Sequence, residues 1–490
     1  MTRWAMVADL NRCVGCQTCT AACKHANATA PGIQWRKVLD MEAGAFPDVR
    51  RAFVPVGCMH CDDPPCVAVC PSGATFKRED GLVVIDYDVC IGCAYCAISC
   101  PYQARFKVTE ETPAFGRKAG RMRHEAAREM PERLNVAQKC TFCIDRIDAG
   151  LARGLTPGLD PEATPACANA CIADALVFGD LDNPESRVSR LLEEHENFVM
   201  HDDLGTGPGL RYLWAPKGAE EAAAPAASLA TPDETGLTGV APWHQTSWDW
   251  RAAANFICGG AGSGLVALGV LAGLAGSGPL LPALFAGLML VGFGLLCVWA
   301  EIGRPWRFLN VFSKPATSWM SREAWAAVAL FASGGGALIL GWAGAGGAAH
   351  ALAGSAAGLV PGAGVLAIAL AALLGLRLAA WVAYRRALAQ SGAPQRGLST
   401  LERFAPGWLW AGHGLPLGLL VLGFLLPSAL APAALALAGV VAAVAGGAFK
   451  LVLVTRAAFN QGFALARMPR RGAGRAGPGL KPGWRPPAPG

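Results

Sequence analysis

Sixteen of the eighteen cysteines in this 490-residue chain fall within its first 171 residues, in four groups with the spacing of iron–sulfur ligation. The groups are Cys13-x2-Cys16-x2-Cys19-x3-Cys23, Cys58-x2-Cys61-x4-Cys66-x3-Cys70, Cys90-x2-Cys93-x2-Cys96-x3-Cys100, and the split set Cys140-x2-Cys143 with Cys167-x3-Cys171. Three closely spaced thiolates wrap one cubane, while the fourth cysteine of a run is held away from them and ligates the other cluster of a pair. Proline after the fourth cysteine marks this arrangement at Cys70-Pro71 and Cys100-Pro101; at Cys23-Lys24 and Cys171-Ile172 it rests on spacing alone. Structural zinc takes four ligands per site and would leave the trailing thiolates over. A disulfide scaffold suits a small secreted domain, and Met1 to Leu10 offers no long apolar stretch as a signal.

Two stretches that position these thiols are near copies. Val7-Ala8-Asp9-x3-Cys13-Val14-Gly15-Cys16 matches Val84-Ile85-Asp86-x3-Cys90-Ile91-Gly92-Cys93. In each, an extended apolar run leads into a loop where glycine turns the backbone tightly between two ligands. This predicts a ferredoxin fold used twice. Gly81 to Asp86 reads as a strand, and Lys107 to Lys139 as a charged, helical, cysteine-free insertion. Its Arg121-x-Arg123-His124 cluster is either a partner-facing patch or a solvated face. Phe178-Gly-Asp180 through Ser186 to Leu192 reads as an exposed turn followed by an amphipathic helix.

The second half of the chain has a different composition. Nearly all acidic residues precede residue 240, and Ala, Gly and Leu dominate afterwards. The net charge of +6 comes without a basic run interleaved with aromatics, so nucleic-acid binding is not indicated. Residues 215–247, rich in Ala, Pro, Glu and Thr, read as a flexible linker. Six apolar stretches follow that are long enough to span a bilayer: 253–275, 280–301, 323–343, 360–384, 408–428 and 433–455. A Gly- and Ala-rich stretch at 344–362 has room for a further short helix. Trp250, Trp299, Trp306, Trp319, Trp325, Trp381, Trp408 and Trp410 are placed as an interfacial belt.

Connections 302–322 (Arg304, Arg307, Lys314, Arg322) and 385–407 (Arg385, Arg386, Arg396, Arg403) are basic, as is the tail, whereas the intervening connections hold no Lys or Arg. Positive residues gather on the cytoplasmic side, so six spans put the cysteine-rich domain in the cytoplasm of a bacterial inner membrane. The expected division is a cluster domain at 1–214, a linker at 215–247, a membrane domain at 248–466 and a basic tail at 467–490. The fold class is an α+β ferredoxin-like tandem iron–sulfur domain followed by an all-α polytopic transmembrane bundle.

An acid close to the bilayer is costly unless paired or wet, so Glu301 at the end of the second span is a functional candidate. With Arg304 or Arg322 beside it, Glu301 would serve the proton needs of a quinone head group; the alternative is a simple pair with an interfacial arginine. His413, Arg377 and Lys450 are further candidates, the last two also readable as snorkelling cations. Isolated Cys258 and Cys297 read as packing residues.

Together with Lys139-Cys140-Thr-Phe-Cys143-x2-Arg146 and Pro165-Ala-Cys167, the four groups resemble the four-cluster electron-transfer subunit of dimethyl sulfoxide reductase-type molybdenum enzymes. Glu301-Ile-Gly-Arg-Pro, Ser318-Trp-Met-Ser-Arg-Glu323 and Phe459-Asn-Gln-Gly-Phe463 resemble the quinone-reactive anchor of the same complexes, here fused to it and closest in look to the sulfite-oxidising version. Family anchors commonly have eight spans, sometimes with His at the position of Glu301; this chain reads as six.

The resemblance implies four [4Fe-4S] clusters: Cys13, Cys16, Cys19 and Cys171; Cys140, Cys143, Cys167 and Cys23; Cys58, Cys61, Cys66 and Cys100; Cys90, Cys93, Cys96 and Cys70. Some relatives carry Trp at the position of Cys93 and hold a three-iron centre there. Nothing in the chain resembles a molybdopterin-binding subunit, so substrate chemistry is assigned to a partner. The implied function is a wire and anchor passing electrons to membrane quinone, with sulfite as the substrate. The alternatives are the reverse flow, from quinol to a reductase for dimethyl sulfoxide, polysulfide or thiosulfate, and an anchor without its own quinone site.

Overall fold

A computed structural model describes residues 2–43, 49–110, 113–127, 130–216, 241–274, 280–342, 363–391, 393–427 and 430–465. Most of the expected linker, the basic tail and the Gly- and Ala-rich stretch at 344–362 lie outside these residues. The chain forms two compact units. One comprises Met1–Trp243, Ile302–Ser321 and the segment from Asn460; the other comprises His244–Glu301 and Arg322–Phe459. The expected boundary near residue 248 is therefore crossed twice, because parts of the apolar half fold with the cysteine-rich half.

The first unit is ferredoxin-like α+β. The apolar run Trp4–Asp9 becomes the buried centre of a four-stranded sheet, parallel to Leu210–Pro216 and antiparallel to Leu176–Asp180, with His195–Val199 at the far edge. Phe178, expected in an exposed turn, is buried on this sheet and stacks on Trp4 at 5.4 Å. Sequence pattern missed it because its strand pairs with residues about 170 positions away. The helix that follows, Arg187–Glu194, starts where Ser186 Oγ accepts from Ser189 N–H, and it buries Val188.

Three hairpins carry the cysteine loops: Lys37–Ala43 with Arg50–Val56, Thr75–Lys77 with Val83–Ile85, and Arg105–Lys107 with Ala137–Lys139. The duplicated loops share their backbone shape. Gly15 and Gly92 have φ of 72° and 71°, and two residues later Gln17 and Ala94 are also left-handed, at 61° and 60°. A left-handed non-glycine residue costs roughly 1–2 kcal/mol, so these turns are held by what surrounds them. After the first, helix Thr18–Asn27 places Cys19 and Cys23 one turn apart on a buried face.

The second unit is helical. Long helices span Trp250–Leu274, Leu280–Glu301, Trp319–Trp342, Ala363–Ser391, Gln395–Leu425 (with a wide π turn at Trp410–Gly414) and Ala431–Thr455, the third beginning inside the first unit. Four are long and apolar enough to cross a membrane: those starting at Trp250, Leu280, Gln395 and, trimmed to Ala433–Thr455, the last. The other two carry Arg322 and Glu323, and Arg377, Arg385 and Arg386. The basic stretch expected as a connection at 385–407 is mostly helix, with Arg385 bonded to Glu402.

Small residues let the first two of these helices touch by backbone: a Cβ on Gly262 would lie 2.5 Å from Gly287 O. Two tryptophans expected at the interface are interior instead. Trp381 and Trp408 are buried, 5.2 Å apart, and pack on Phe449, because three large rings fill one layer between helices. Trp250, Trp306, Trp319, Trp325 and Trp410 are exposed.

Candidate metal centres

The sixteen thiols of the first unit gather in four sets that mix the sequence groups. Cys13, Cys16, Cys19 and Cys171 line one cavity together with Val38 and Pro55. Burial first, and then the sulfurs of Cys140, Cys167 and Cys143, push the Cys23 thiol up. Cys61 is raised by burial and by Cys58, Cys100 and Cys66. Cys93 is raised by burial and by Cys96, Cys90 and Cys70.

The same influences order the sets along a line. Cys19, pushed up to about 11 by burial, feels Cys167 of the second set as well as Cys13 and Cys171 of its own. Cys140, pushed up to about 12 by burial, feels Cys58 of the third set. Cys66, raised by burial, feels Cys96 of the fourth. Thiols held protonated in this way must lose their protons when metal binds.

A 4Fe-4S dicluster family matches residues 49–125. Over 221 residues, 43% of this chain and 72% of the relative, the sequence is 40% identical to a selenate reductase subunit of Mesobacillus selenatarsenatis. It is 37% identical to a sulfite dehydrogenase subunit of Allochromatium vinosum, covering 44% of this chain and 83% of that one. It is 36% identical to the iron–sulfur cluster-binding subunit of menaquinone reductase from Nitratidesulfovibrio vulgaris, covering 43% and 88%. The chain belongs to the iron–sulfur electron-transfer subunits of dimethyl sulfoxide reductase-type enzymes. It carries in addition the helical region, and its cofactor is of the 4Fe-4S type.

The interior of this iron–sulfur subunit fits such a cofactor. Among the described residues no three His, Cys, Asp or Glu side chains group as ligands of a single ion. Donors already point at sulfur: Ala175 N–H to Cys171 Sγ at 3.2 Å, Thr75 N–H to Cys70 Sγ at 3.5 Å, Arg105 Nη2 to Cys66 Sγ at 3.0 Å, and Asn27 Nδ2 to both Cys23 and Cys143 at 3.7 Å. Arg36 is fully buried, and among the described residues its Nε and Nη1, with three N–H bonds between them, have no hydrogen-bond partner beside the first two sets. His60 fixes the loops between the second and third sets. Its Nδ1 accepts from Val83 N–H at 3.1 Å, so Nε2–H donates to Cys140 O at 3.1 Å, and burial keeps the ring neutral, well below the usual histidine range.

The fourth set is roofed by Ile302–Ser321, a segment of the same unit. Gly303 N–H donates to Gly92 O at 3.1 Å and Arg304 N–H to Ile91 O at 3.0 Å. Arg307 Nη1 reaches Tyr87 O at 2.6 Å and Cys90 O at 3.2 Å, and Asn310 Nδ2 reaches Val89 O at 3.0 Å. Ser318 and Ser321 hydroxyls donate to Val69 O and Pro71 O, on either side of Cys70. Gly303 is needed here, since a Cβ would fall 1.7 Å from Asn135 O.

The residues expected around a quinone do not form one cluster. Arg304 donates to Leu134 O at 3.2 Å and Pro131 O at 3.0 Å in the first unit. In the second unit Glu301 is buried, its Oε1 accepting from Asp249 N–H at 3.3 Å, and Arg251 pairs with Asp249 at 2.9 Å. Arg322 is exposed. His413 sits in the π turn, bonded to Arg377 Nε at 3.3 Å and edge-on to Trp408 at 4.7 Å. Arg377 also donates to Gly412 O and Ala442 O, so it is held inside the bundle and does not snorkel. Lys450 donates to Phe256 O at 2.7 Å.

A cavity of about 490 Å³ lies in this unit, lined by His244, Gln245, Trp248, Asp249, Trp250 and Arg456 among others. His244 Nε2 is buried there without a partner. Nothing in the sequence marks His244, which lies in a polar stretch that reads as linker. Arg36 and Arg105 are equally unmarked, and Lys139 stands out only as part of a motif.

Proposed function

We propose that this chain is both wire and anchor: it passes electrons through four [4Fe-4S] clusters between a molybdopterin catalytic subunit and membrane quinone. The observation that carries this reading is the line of four thiol sets, whose last member lies beneath the segment joining two long helices. The ligands are the four sets described, and the clusters supply the one-electron steps between two-electron substrate chemistry and quinone. In this reading the cysteine-rich domain at 1–214 carries the clusters and the membrane domain lies within 248–466, from which Ile302–Ser321 and the segment from Asn460 fold with the first unit.

Sulfite oxidation at the cytoplasmic face of the bacterial inner membrane is the substrate reading. The likeness to a sulfite dehydrogenase subunit and the basic connections support it, and the menaquinone reductase relative supports quinone. The quinone head group would lie in the cavity beside His244, with Glu301 behind Asp249 as the proton carrier. The second reading runs electrons from quinol to a reductase; the 40% identity to a selenate reductase subunit favours it.

Inside-out membrane vesicles with and without this chain decide between them, assayed for sulfite-dependent quinone reduction and for quinol oxidation by dimethyl sulfoxide or selenate. Loss of the sulfite activity with the chain, and its loss in Glu301→Gln with clusters intact, is the expected result. Loss of quinol oxidation alone would overturn the direction. Full quinone turnover in Glu301→Gln would remove the acid from the site.

A further inference from the structure

Among the described residues, three Arg or Lys side chains are buried in the first unit: Arg36 and Lys139 with no exposure and Arg105 with 6%. Among the described residues none has a carboxylate partner. Arg36 Nη2 donates to Met6 Sδ at 3.1 Å. Lys139 Nζ donates to Cys140 O at 2.8 Å and to Val83 O. Arg105 donates to Thr75 Oγ1 and Cys66 Sγ, both at 3.0 Å. Burying an unpaired charge is costly, so negative charge must stand nearby when the protein is complete.

Their positions are regular. Burial alone would lower the pKa of Arg36, but Cys167 and Cys140 of the second set, Cys19 of the first and Cys23 outweigh it. Lys139, bonded to Cys140 O at 2.8 Å, lies within electrostatic reach of Cys58 and Cys66 of the third set and Cys140 of the second. Arg105, bonded to Cys66 Sγ at 3.0 Å, lies within electrostatic reach of Cys96 of the fourth set and of Cys66, Cys58 and Cys100 of the third. Each of the three junctions in the line thus holds one cation.

We propose that Arg36, Lys139 and Arg105 are potential-setting residues, each placing a fixed positive charge between two successive clusters. This rests on reading the four thiol sets as cluster sites. A cluster bound by four thiolates is anionic and gains one more negative charge on reduction. A cation at the junction favours the reduced form on both sides and compensates the electron as it crosses. The unpartnered N–H groups of Arg36 supply hydrogen bonds to sulfur in addition.

The test is an EPR-monitored redox titration of the purified full chain with dithionite and mediators, which needs neither substrate nor quinone. Arg36→Gln is expected to lower the midpoints of the first and second clusters and leave the fourth in place. Arg105→Gln is expected to lower the third and fourth and leave the first. A tenfold loss in the reduced-to-oxidised ratio at fixed potential corresponds to about 59 mV for one electron. Arg105→Lys, which keeps the charge, is expected to stay close to the wild type.

Unchanged midpoints in both Gln variants with full iron content would overturn the proposal. If a Gln variant fails to assemble, ¹⁵N-arginine-labelled wild type decides: ¹⁵N couplings from guanidinium nitrogen to reduced clusters are expected, and their absence overturns the proposal. Fewer than four cluster signals in the wild type would instead overturn the reading of the thiol sets.

Discussion

The two ends of the thiol line are built differently. At the first set Cys16 is exposed, flanked by Val14 and Ile172 with 54% and 73% of their surface open. Its thiol is lowered, first by the Thr18 hydroxyl and then by backbone donors. At the fourth set, burial raises Cys93, and the chain's own Gly303, Arg304, Arg307 and Asn310 bond to the surrounding backbone. On the proposed function, the first end is left for a partner to close, while the fourth is covered by the segment continuous with two long helices. A wire fused to its anchor would then need an external subunit at only one end.

Cysteine replacements offer the most drastic test of this difference. Cys93→Ala is expected to stop quinone reduction by an artificial donor, while Cys16→Ala preserves that activity and loses only transfer from the catalytic subunit. Equal loss in both assays for both variants would erase the distinction. A sharper version is Cys93→Trp, expected to convert the fourth centre to a three-iron species with its own EPR signal in the oxidised state.

A smaller effect is expected from Gly303→Ala. Its Cβ would meet Asn135 O at 1.7 Å, and backbone cannot yield as a side chain does. Overpacking of this kind costs about 1–3 kcal/mol, so the full chain should unfold several degrees lower by calorimetry. Ile172→Ser at the open end should change stability by less than about 0.5 kcal/mol, yet weaken capture of the catalytic subunit in a pull-down. Weakened capture by Gly303→Ala and not by Ile172→Ser would reverse the assignment of the two ends.

The sequence is most readable where short-range geometry decides. Cysteine spacing marks the thiols that gather in the first unit because a cubane demands close thiolates, and the paired Val-x-Asp-x3-Cys runs mark the strand-to-loop turns. Apolar length marks the long helices. What stays hidden depends on distant partners. Phe178 reads as a turn until its strand meets Trp4–Asp9. Arg304 and Arg307 read as charges flanking a membrane span, yet their guanidinium groups are spent on carbonyls near Cys90 and Leu134. Nothing local to Arg36 announces a buried guanidinium, since the sulfurs around it come from Cys19, Cys23, Cys140 and Cys167. Phe463, in the phrase Phe459-Asn-Gln-Gly-Phe463, is fully buried in the core of the first unit, with His201 bonded to Gly462 O.

The most direct measurement is the EPR relaxation of each reduced cluster in the full chain, with and without a water-soluble dysprosium chelate. Signals are assigned by their loss in Cys16→Ala and Cys93→Ala. A line open at one end and closed at the other predicts that the signal tied to Cys16 relaxes fastest with the chelate and that the one tied to Cys93 is protected. Strong enhancement at the Cys93 signal, with protection at Cys16, would contradict it.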